Sequence, residues 1–339
     1  MKELGHAMSG EQTKIRLEKQ LNEISDEVSA LVAVTRPILL GVLYAIKSDV
    51  VESVGGHENV RLKMLSRLYR PGDGDCGICF EYAVHDAMNR GEQDVLERVS
   101  DALKKCSISG KRNASILFGV EKNGSQSIID SASGVLTDES RVLSGVVGQP
   151  AKLKRYLNTL AAAFRKPTTR RALPYSINGL WKADLFLGSQ SDDRWVGTSV
   201  KINQHALEGA NGLRIGIIPT RQGNSDAIRK DESKNLIVCP LPHDASFMQI
   251  FYEGWQIIQQ LIAADAKLPK EVALPRPAHR EVARILADRR EFPVVEIVRH
   301  IAPLAQPELL ETREKAVDTN QSGRSKVGRV IAPRARSLR

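Results

Sequence analysis

The chain has 339 residues, of which 42% are hydrophobic and 26% charged, and its formal net charge is +9. This composition is typical of a soluble globular protein with a sizeable core, and the basic balance favours a polyanionic partner. The sequence contains no GxxxxGK[ST], GxSxG or HExxH motif, which argues against a built-in P-loop motor, a serine hydrolase of that type and a zinc protease.

Cysteine usage indicates a reducing compartment. The four cysteines are too few and too scattered for a disulfide framework in a chain of this length. No signal peptide is visible, because the first twelve residues are polar and of mixed charge. We therefore expect a cytoplasmic protein.

Residues 1–70 are predicted to form a helical N-terminal region. Apolar residues in its first half follow alternating steps of four and three, which is the spacing of a coiled-coil-like or bundle seam: Leu17, Leu21, Ile24, Val28 and Leu31. The seam either packs on the core of the chain itself or mediates a homodimer. The sequence leaves both alternatives open.

The apolar stretch 30–46 invites a membrane interpretation. Arg36 and Pro37 interrupt it, and no uninterrupted apolar run approaches the roughly 20 residues that a transmembrane helix needs. We predict a buried helix with a break at Pro37, and no membrane contact.

Residues 74–88 are predicted to form a helix whose apolar start leads to Glu81. His85 follows one turn later on the same face, where it could orient the carboxylate or contact a phosphate, although a simple helix-surface contact is the commoner role. Cys76 and Cys79 form a CxxC, but the second pair of a zinc site is missing, so a small buried thiol is favoured over zinc or redox chemistry.

Two β-prone runs follow between 114 and 130, and they flank Asn123-Gly124. That dipeptide predicts a tight hairpin turn. The hairpin forms either the edge of the main sheet or part of an insertion around 110–148.

Residues 149–182, called the basic segment below, contain basic side chains and no acid: Lys152, Lys154, Arg155, Arg165, Lys166, Arg170, Arg171 and Lys182. The first part of the basic segment has apolar residues at helical spacing: Leu153, Leu157, Leu160 and Ala161. Its cations would lie on or beside the exposed face and neutralise the phosphates of a nucleic acid. The alternative is an ordinary solvated helix face.

Residues 182–203 are predicted to form a β-hairpin. Two apolar runs, 185–187 and 195–200, flank a polar turn, so the far ends of the hairpin should lie side by side. Asp184 would then lie beside Ser199 and Lys201, which are two residues apart and share one face of the strand. An acid and a lysine in this position could hold a divalent cation and an attacking water beside a phosphate.

The rest of the chain alternates strands and helices. Strands are predicted at 212–220 and 235–242 with an exposed loop between them, followed by helices at 245–264, 277–290 and 293–304. His205, four residues after Lys201, is a weaker candidate for the site. The last twenty residues hold six basic side chains and no acid, which is about two thirds of the net charge. We expect residues 311–339 to be disordered and either to bind nucleic acid or to aid solubility.

Three short stretches together resemble the PD-(D/E)XK nuclease superfamily: the helix with Glu81, the strand that follows Asp184, and Ser199-Val200-Lys201. One position departs from the pattern, because Ser199 stands where the superfamily has an acid. The resemblance implies an α/β protein of restriction-endonuclease-like fold, with a mixed sheet core and helical N-terminal and C-terminal additions. The core would span 71–265, followed by a helical C-terminal region at 266–310.

The resemblance also implies a metal-dependent nuclease that hydrolyses phosphodiesters of DNA in preference to RNA, in prokaryotic restriction or anti-phage defence. Glu81 and Asp184 would bind Mg²⁺ or Mn²⁺, Lys201 would position water and stabilise charge on the phosphate, and Ser199 would contribute its hydroxyl or a bound water. The alternative is a non-catalytic nucleic-acid-binding subunit that retains the fold. A separately encoded motor or sensor protein, or a second copy of the chain, would be the protein partner.

Overall fold

The computed structural model describes residues 4–68, 75–119, 132, 134–145, 149–208, 212–266 and 273–305. Helices in these ranges are α1 (Leu4–Ala45), α2 (Ser48–Ser53), α3 (Leu65–Leu68), α4 (Asp75–Arg90), α5 (Gln93–Lys105), α6 (Leu153–Arg165), α7 (Ser246–Ala266), α8 (Pro277–Ala287) and α9 (Val294–His300). Longer 3₁₀ segments occupy Pro167–Ala172 and Tyr175–Lys182.

The strands form one mixed sheet. They are β1 (Asn113–Leu117), β2 (Arg141–Val142), β3 (Ala151–Lys152), β4 (Leu185–Ser189), β5 (Arg194–Val200), β6 (Arg214–Pro219), β7 (Arg229–Asp231) and β8 (Leu236–Leu241). The main order is β1-β4-β5-β6-β8-β7, while β2 pairs with β3 and with the start of β5. Strands β5, β6 and β8 are parallel to one another, whereas β1, β4 and β7 are antiparallel to their neighbours. An α/β protein with a mixed sheet, as expected from the sequence, is confirmed.

The sheet buries both of its faces. On one face Leu185, Val196 and Ile217 belong to a large core that also contains apolar residues of α1, α4, α5, α7, α8 and α9. On the other face Phe186 and Trp195 pack in a smaller core with apolar residues of α6. The helices near both ends of the chain therefore share one core with the sheet, and α4 lies against β1 and β5.

Helix α1 runs through Pro37 without ending, so the predicted break at this residue is wrong. A proline inside a helix costs roughly 3 kcal/mol, but α1 packs against α4, α7, α8 and α9, and that burial outweighs the lost hydrogen bond. Its portion Ser25–Ala45 is long and apolar enough to cross a membrane, yet 61% of that window is buried inside the protein. A buried core helix has the same length and composition.

Most other predicted elements are confirmed. The hairpin, the two strands after it and the last three helices form β4–β5, β6, β8, α7, α8 and α9, and the first run before Asn123-Gly124 forms the edge strand β1. The predicted loop after β6 differs, since Arg229–Asp231 pairs with β8. The Asn123-Gly124 turn and the tail at 311–339 lie outside the described residues, as do the side chains of Leu17, Leu21 and Ile24.

Candidate active site at the carboxyl ends of the parallel strands

Asp184 lies immediately before β4, at the end of the hairpin where β5 finishes. The register pairs Leu185 with Thr198, so one further step places Asp184 opposite Ser199. The Asp184 amide donates to the Thr198 carbonyl at 2.9 Å, and the amide of Val200 donates to Oδ2 of Asp184 at 3.0 Å. The hairpin backbone therefore fixes the position of the carboxylate.

Lys201 follows β5 directly, and its backbone continues the pairing with β6. Its amide donates to the Ile217 carbonyl at 2.9 Å. Its ammonium Nζ lies 2.7 Å from Oδ2 of Asp184 and 3.2 Å from Oε1 of Glu81. One cation therefore contacts two carboxylates, one 17 and the other 120 positions earlier in the chain. The hairpin brings Asp184 to Lys201, whereas only the tertiary fold brings Glu81 there.

Glu81 reaches this point from α4, whose apolar residues pack on the large core. The side chains of Glu81 and Asp184 are each only 4% exposed, whereas that of Lys201 is 31% exposed. The three residues, called the strand-end site below, thus form a buried acidic pair with a cation at its solvent side. The structure brings Glu81, Asp184 and Lys201 together at one point.

Lys201 carries its positive charge at neutral pH. Burial disfavours the ammonium, but the charges of Asp184 and Glu81 and the hydrogen bonds to both outweigh burial and raise the pKa of Lys201 above its usual value. Because the pKa is raised, Lys201 acts as a hydrogen-bond donor and a stabiliser of negative charge, and it is a poor general base.

Ser199 is buried, with 6% of its surface exposed, and lies across the ladder from the Asp184 position. It is a neutral residue at the place where a third carboxylate would face Asp184. The carboxylate of Glu81 reaches the site from another element instead. Ser199 therefore lies opposite Asp184 on the ladder but brings no charge.

Arg214 is a buried cation of this region that the sequence reading missed. It lies on β6, is 2% exposed, and donates from Nη2 to the Gly179 carbonyl. Burial lowers the pKa of Arg214, while the charges of Asp184 and Glu208 act in the opposite direction. The signal in the sequence that could have identified this residue is a single arginine within the otherwise apolar run that forms β6.

The contacts described for His85, one helical turn after Glu81, are with a strand and with its own helix. Its Nδ1 lies 3.0 Å from the Ser115 hydroxyl on β1, and its Nε2 lies 3.3 Å from Nδ2 of Asn89. Burial lowers the pKa of His85 to about 4, although Asp86 opposes this. The imidazole is therefore neutral at pH 7 and ties α4 to the sheet.

Cys76 and Cys79 are free thiols. Cys79 is fully buried and donates weakly to the Ile38 carbonyl at 3.4 Å. It lies where α4 crosses α1 at Gly41, and a Cβ at that glycine would be 2.7 Å from the Cys79 Cα. The crossing requires a small residue in α1, and the buried-thiol interpretation of Cys79 fits this packing.

The basic segment forms a helix and two 3₁₀ turns, and several of its cations have partners from elsewhere in the chain. Lys152 pairs with Glu139 at 2.7 Å and Lys154 with Asp138 at 3.0 Å. The hydrogen bond and charge of Lys152 lower the pKa of Glu139. Lys182 pairs with Glu208. The absence of acids along the segment is thus compensated in space by acids outside it.

Other cations of the basic segment differ in their surroundings. The guanidinium of Arg170 lies 3.8 Å from the ring centre of Trp181, and its Nε donates to the Ala163 carbonyl at 2.9 Å. Lys166, Arg171 and Arg155 remain at the surface or partly exposed without a described acidic partner, and the Arg165 side chain lies outside the described residues. Part of the predicted nucleic-acid surface therefore has a structural role.

A groove of about 670 Å³ lies beside the strand-end site, at the carboxyl ends of β6 and β8. It starts at Ile202, the residue after Lys201, and is called the strand-end groove below. Its polar lining includes Asn203, His205, Arg221, Arg229, His243 and Tyr252. Ligands of open α/β sheets commonly bind at such strand ends. Apart from His205, none of these residues was predicted to belong to a site, and Arg221 and Arg229 lie in the segment 221–235, which had only the composition of an exposed loop.

A second cluster of possible metal ligands lies between α1, α7 and α8, where ligand atoms of Glu27, Glu253 and His279 are within 4.8 Å of one another. Arg276 occupies this cluster, with Nη2 at 2.6 Å from Oε1 of Glu27 and a contact to Glu253. Burial raises the pKa of Glu27 despite the arginine. The arginine makes this cluster a polar link between helices.

The strand-end site fits a hard divalent cation better. Mg²⁺ is usually held by one or two carboxylates together with water and phosphate oxygens, and Glu81 and Asp184 already converge on one cation, the Lys201 ammonium. The side of the site occupied by Lys201 is partly exposed, so water and a phosphate can approach from there.

Comparison of the chain with protein-family models, with curated proteins and with solved structures found no match. Any functional conclusion therefore depends on the geometry of the chain itself.

Proposed function

We propose that the protein is a metal-dependent nuclease of restriction-endonuclease-like fold that hydrolyses phosphodiester bonds of DNA. The observation that carries the proposal is the convergence of the buried Glu81 and Asp184 carboxylates on the Lys201 ammonium, at the end of a β-hairpin. The mixed sheet supports the fold assignment, since it places the hairpin beside parallel strands and under a helix that carries the second acid.

The residues have distinct tasks in this proposal. Glu81 and Asp184 would hold Mg²⁺ or Mn²⁺, and the cation, when bound, supplies a Lewis acid that lowers the pKa of water and offsets phosphate charge. Lys201, which stays protonated, donates hydrogen bonds to the attacking water or to a nonbridging phosphate oxygen. The water oxygen bonds to phosphorus, the bond to the leaving ester oxygen breaks, and that oxygen takes up a proton.

A second candidate function is supported by Ser199, which is buried opposite Asp184 and carries no charge. A site with one carboxylate fewer at the hairpin binds metal more weakly. The protein would then be a nucleic-acid-binding subunit that retains the fold and works beside a separately encoded motor or sensor protein. We favour the nuclease because Glu81 supplies a second buried carboxylate to the same cation.

The test is cleavage of supercoiled plasmid and of single-stranded DNA in Mg²⁺, in Mn²⁺ and in EDTA. We expect metal-dependent cutting by the wild type, with losses of at least about 100-fold in Asp184→Asn and in Glu81→Gln. Glu253→Gln is the matched control, because it alters a part-buried glutamate in the helical cluster and should leave cutting unchanged. Binding without cutting in every metal would overturn the nuclease and support the non-catalytic subunit.

A further inference from the structure

We propose that the strand-end groove binds a short single-stranded stretch of nucleic acid adjoining the strand-end site, with Arg221 and Arg229 on its phosphates and Tyr252 stacked on a base. The inference rests on the proposed nucleic-acid substrate and adds the path of the strand. It concerns residues outside the motif that suggested the nuclease.

Charge is the first argument. The lining of the strand-end groove includes two arginines and two histidines but no Asp or Glu. Both arginines are exposed, and within the described part of the chain neither guanidinium has a carboxylate partner, unlike Lys152, Lys154 and Lys182. Unpaired arginines can bind phosphate through two parallel hydrogen bonds at little cost in broken contacts.

Position is the second argument. The strand-end groove is lined by Ile202, the residue after Lys201, and by Ile218 and Pro219 at the end of β6. A nucleotide chain with one phosphate at Lys201 would therefore have a short path into this groove. The volume of about 670 Å³ lies in the range of small-ligand sites, so it suits a few unpaired nucleotides.

Tyr252 is the third argument. It lies on α7, lines the strand-end groove and is 42% exposed. Its ring packs edge-on against the buried Phe251 at 5.4 Å, so its position is fixed from behind. Exposed aromatic rings beside cationic grooves are stacking sites for bases of single strands.

The first measurement is fluorescence anisotropy with a labelled 20-nucleotide oligo(dT) in EDTA, where no cleavage interferes. We expect the double variant Arg221→Ala/Arg229→Ala to weaken binding about tenfold, and to reduce the slope of log K against log salt by about 1.4, because each single-strand phosphate contact contributes about 0.7. The matched control is Arg112→Ala/Arg299→Ala, which removes two exposed arginines before β1 and on α9 and should bind like the wild type.

Tyr252 gives an independent readout. Tyr252→Ala should weaken binding about fivefold or more, and Tyr252→Phe should restore it, because stacking requires the ring and not the hydroxyl. Unchanged binding in both the arginine and the Tyr252→Ala variants would overturn the inference. So would displacement of the oligonucleotide by micromolar AMP, since that would identify a free-nucleotide site. If each variant unfolds thermally at the same temperature as the wild type, misfolding is excluded as the cause of a loss of binding.

The binding test of the strand-end groove can succeed or fail independently of the cleavage test of the proposed nuclease. Groove variants that lose binding, in a protein whose wild type does not cut in any metal, would support the strand-end groove and contradict the nuclease. Cutting that depends on Asp184, with binding unaffected by Arg221 and Arg229, would support the nuclease and overturn the path proposed for the strand.

Discussion

The basic segment and the strand-end groove are both rich in cations, but in the basic segment several of these cations are paired with acids or stacked on an aromatic ring. In the basic segment Lys152 and Lys154 are paired with Glu139 and Asp138, and Arg170 is stacked on Trp181. In the strand-end groove the arginines are exposed and lack a described carboxylate partner. Charge counted along a chain therefore differs from charge available at a surface, because folding brings acids from other segments to some cations and leaves others unpaired.

The largest expected difference between the two regions concerns catalysis. Lys201→Ala should lower metal-dependent cleavage by at least about 100-fold, because it removes the donor held between two buried carboxylates. Lys152→Ala should leave the rate within about twofold, since its exposed ion pair contributes little. Initial cleavage rates on plasmid at equal protein concentration measure both variants. Similar losses of rate in the two variants would show that the strand-end site and the basic segment do not differ in their contribution to cleavage.

The second prediction concerns pH and the helix that carries Glu81. Because burial lowers the pKa of His85 to about 4 in the folded protein, only the unfolded chain takes up a proton at His85 between pH 6.5 and 4, and stability falls as the pH drops through this range. We expect a loss of about 3 kcal/mol across that window that His85→Gln lacks. Urea unfolding of both proteins between pH 7 and pH 4 measures this loss. If the free energies of unfolding of the two proteins fall in parallel with pH, His85 is not the cause of the loss.

The third prediction tests the structural role of the basic segment. Arg170→Ala should lower the free energy of unfolding by about 1–2 kcal/mol, because it removes the stacking on Trp181 and the hydrogen bond to Ala163. Arg171→Ala is the control at the next position, which is exposed, and should change stability by less than about 0.5 kcal/mol. Chemical denaturation decides, and equal effects would mean that Arg170 is as available for nucleic acid as its neighbour.

The smallest expected effect comes from removing the acids that pair with two lysines of the basic segment. The double variant Asp138→Asn/Glu139→Gln frees Lys152 and Lys154 from their partners, so oligonucleotide binding at low salt should strengthen about two- to threefold. Asp49→Asn/Glu52→Gln removes two exposed acids of α2 that have no described ion pair, and it tests whether any loss of acid has the same effect. Anisotropy at 50 mM salt would measure both, and no gain in the first variant would place the basic segment away from the bound strand.

Periodicity and turn composition were sufficient for much of the fold. The hairpin of β4 and β5, strands β6 and β8 and the helices after Ser246 were all predicted, because each has a local apolar pattern bounded by turn residues. The helix break predicted at Pro37 was wrong because the decisive contribution there is not local. The local cost of the proline is real, but burial of α1 against four other helices outweighs it, and such packing has no local signal.

The sequence alone determined the chemistry that the hairpin could carry, because strand alternation and a turn suffice to bring Asp184, Ser199 and Lys201 together. Only the tertiary structure decided that Glu81 joins them, that the acids at 138 and 139 neutralise two lysines of the basic segment, and that Arg221, Arg229 and Tyr252 line one groove. The physical reason is range: backbone patterns act over a few residues, whereas charge pairing and groove formation join residues that are far apart in the chain.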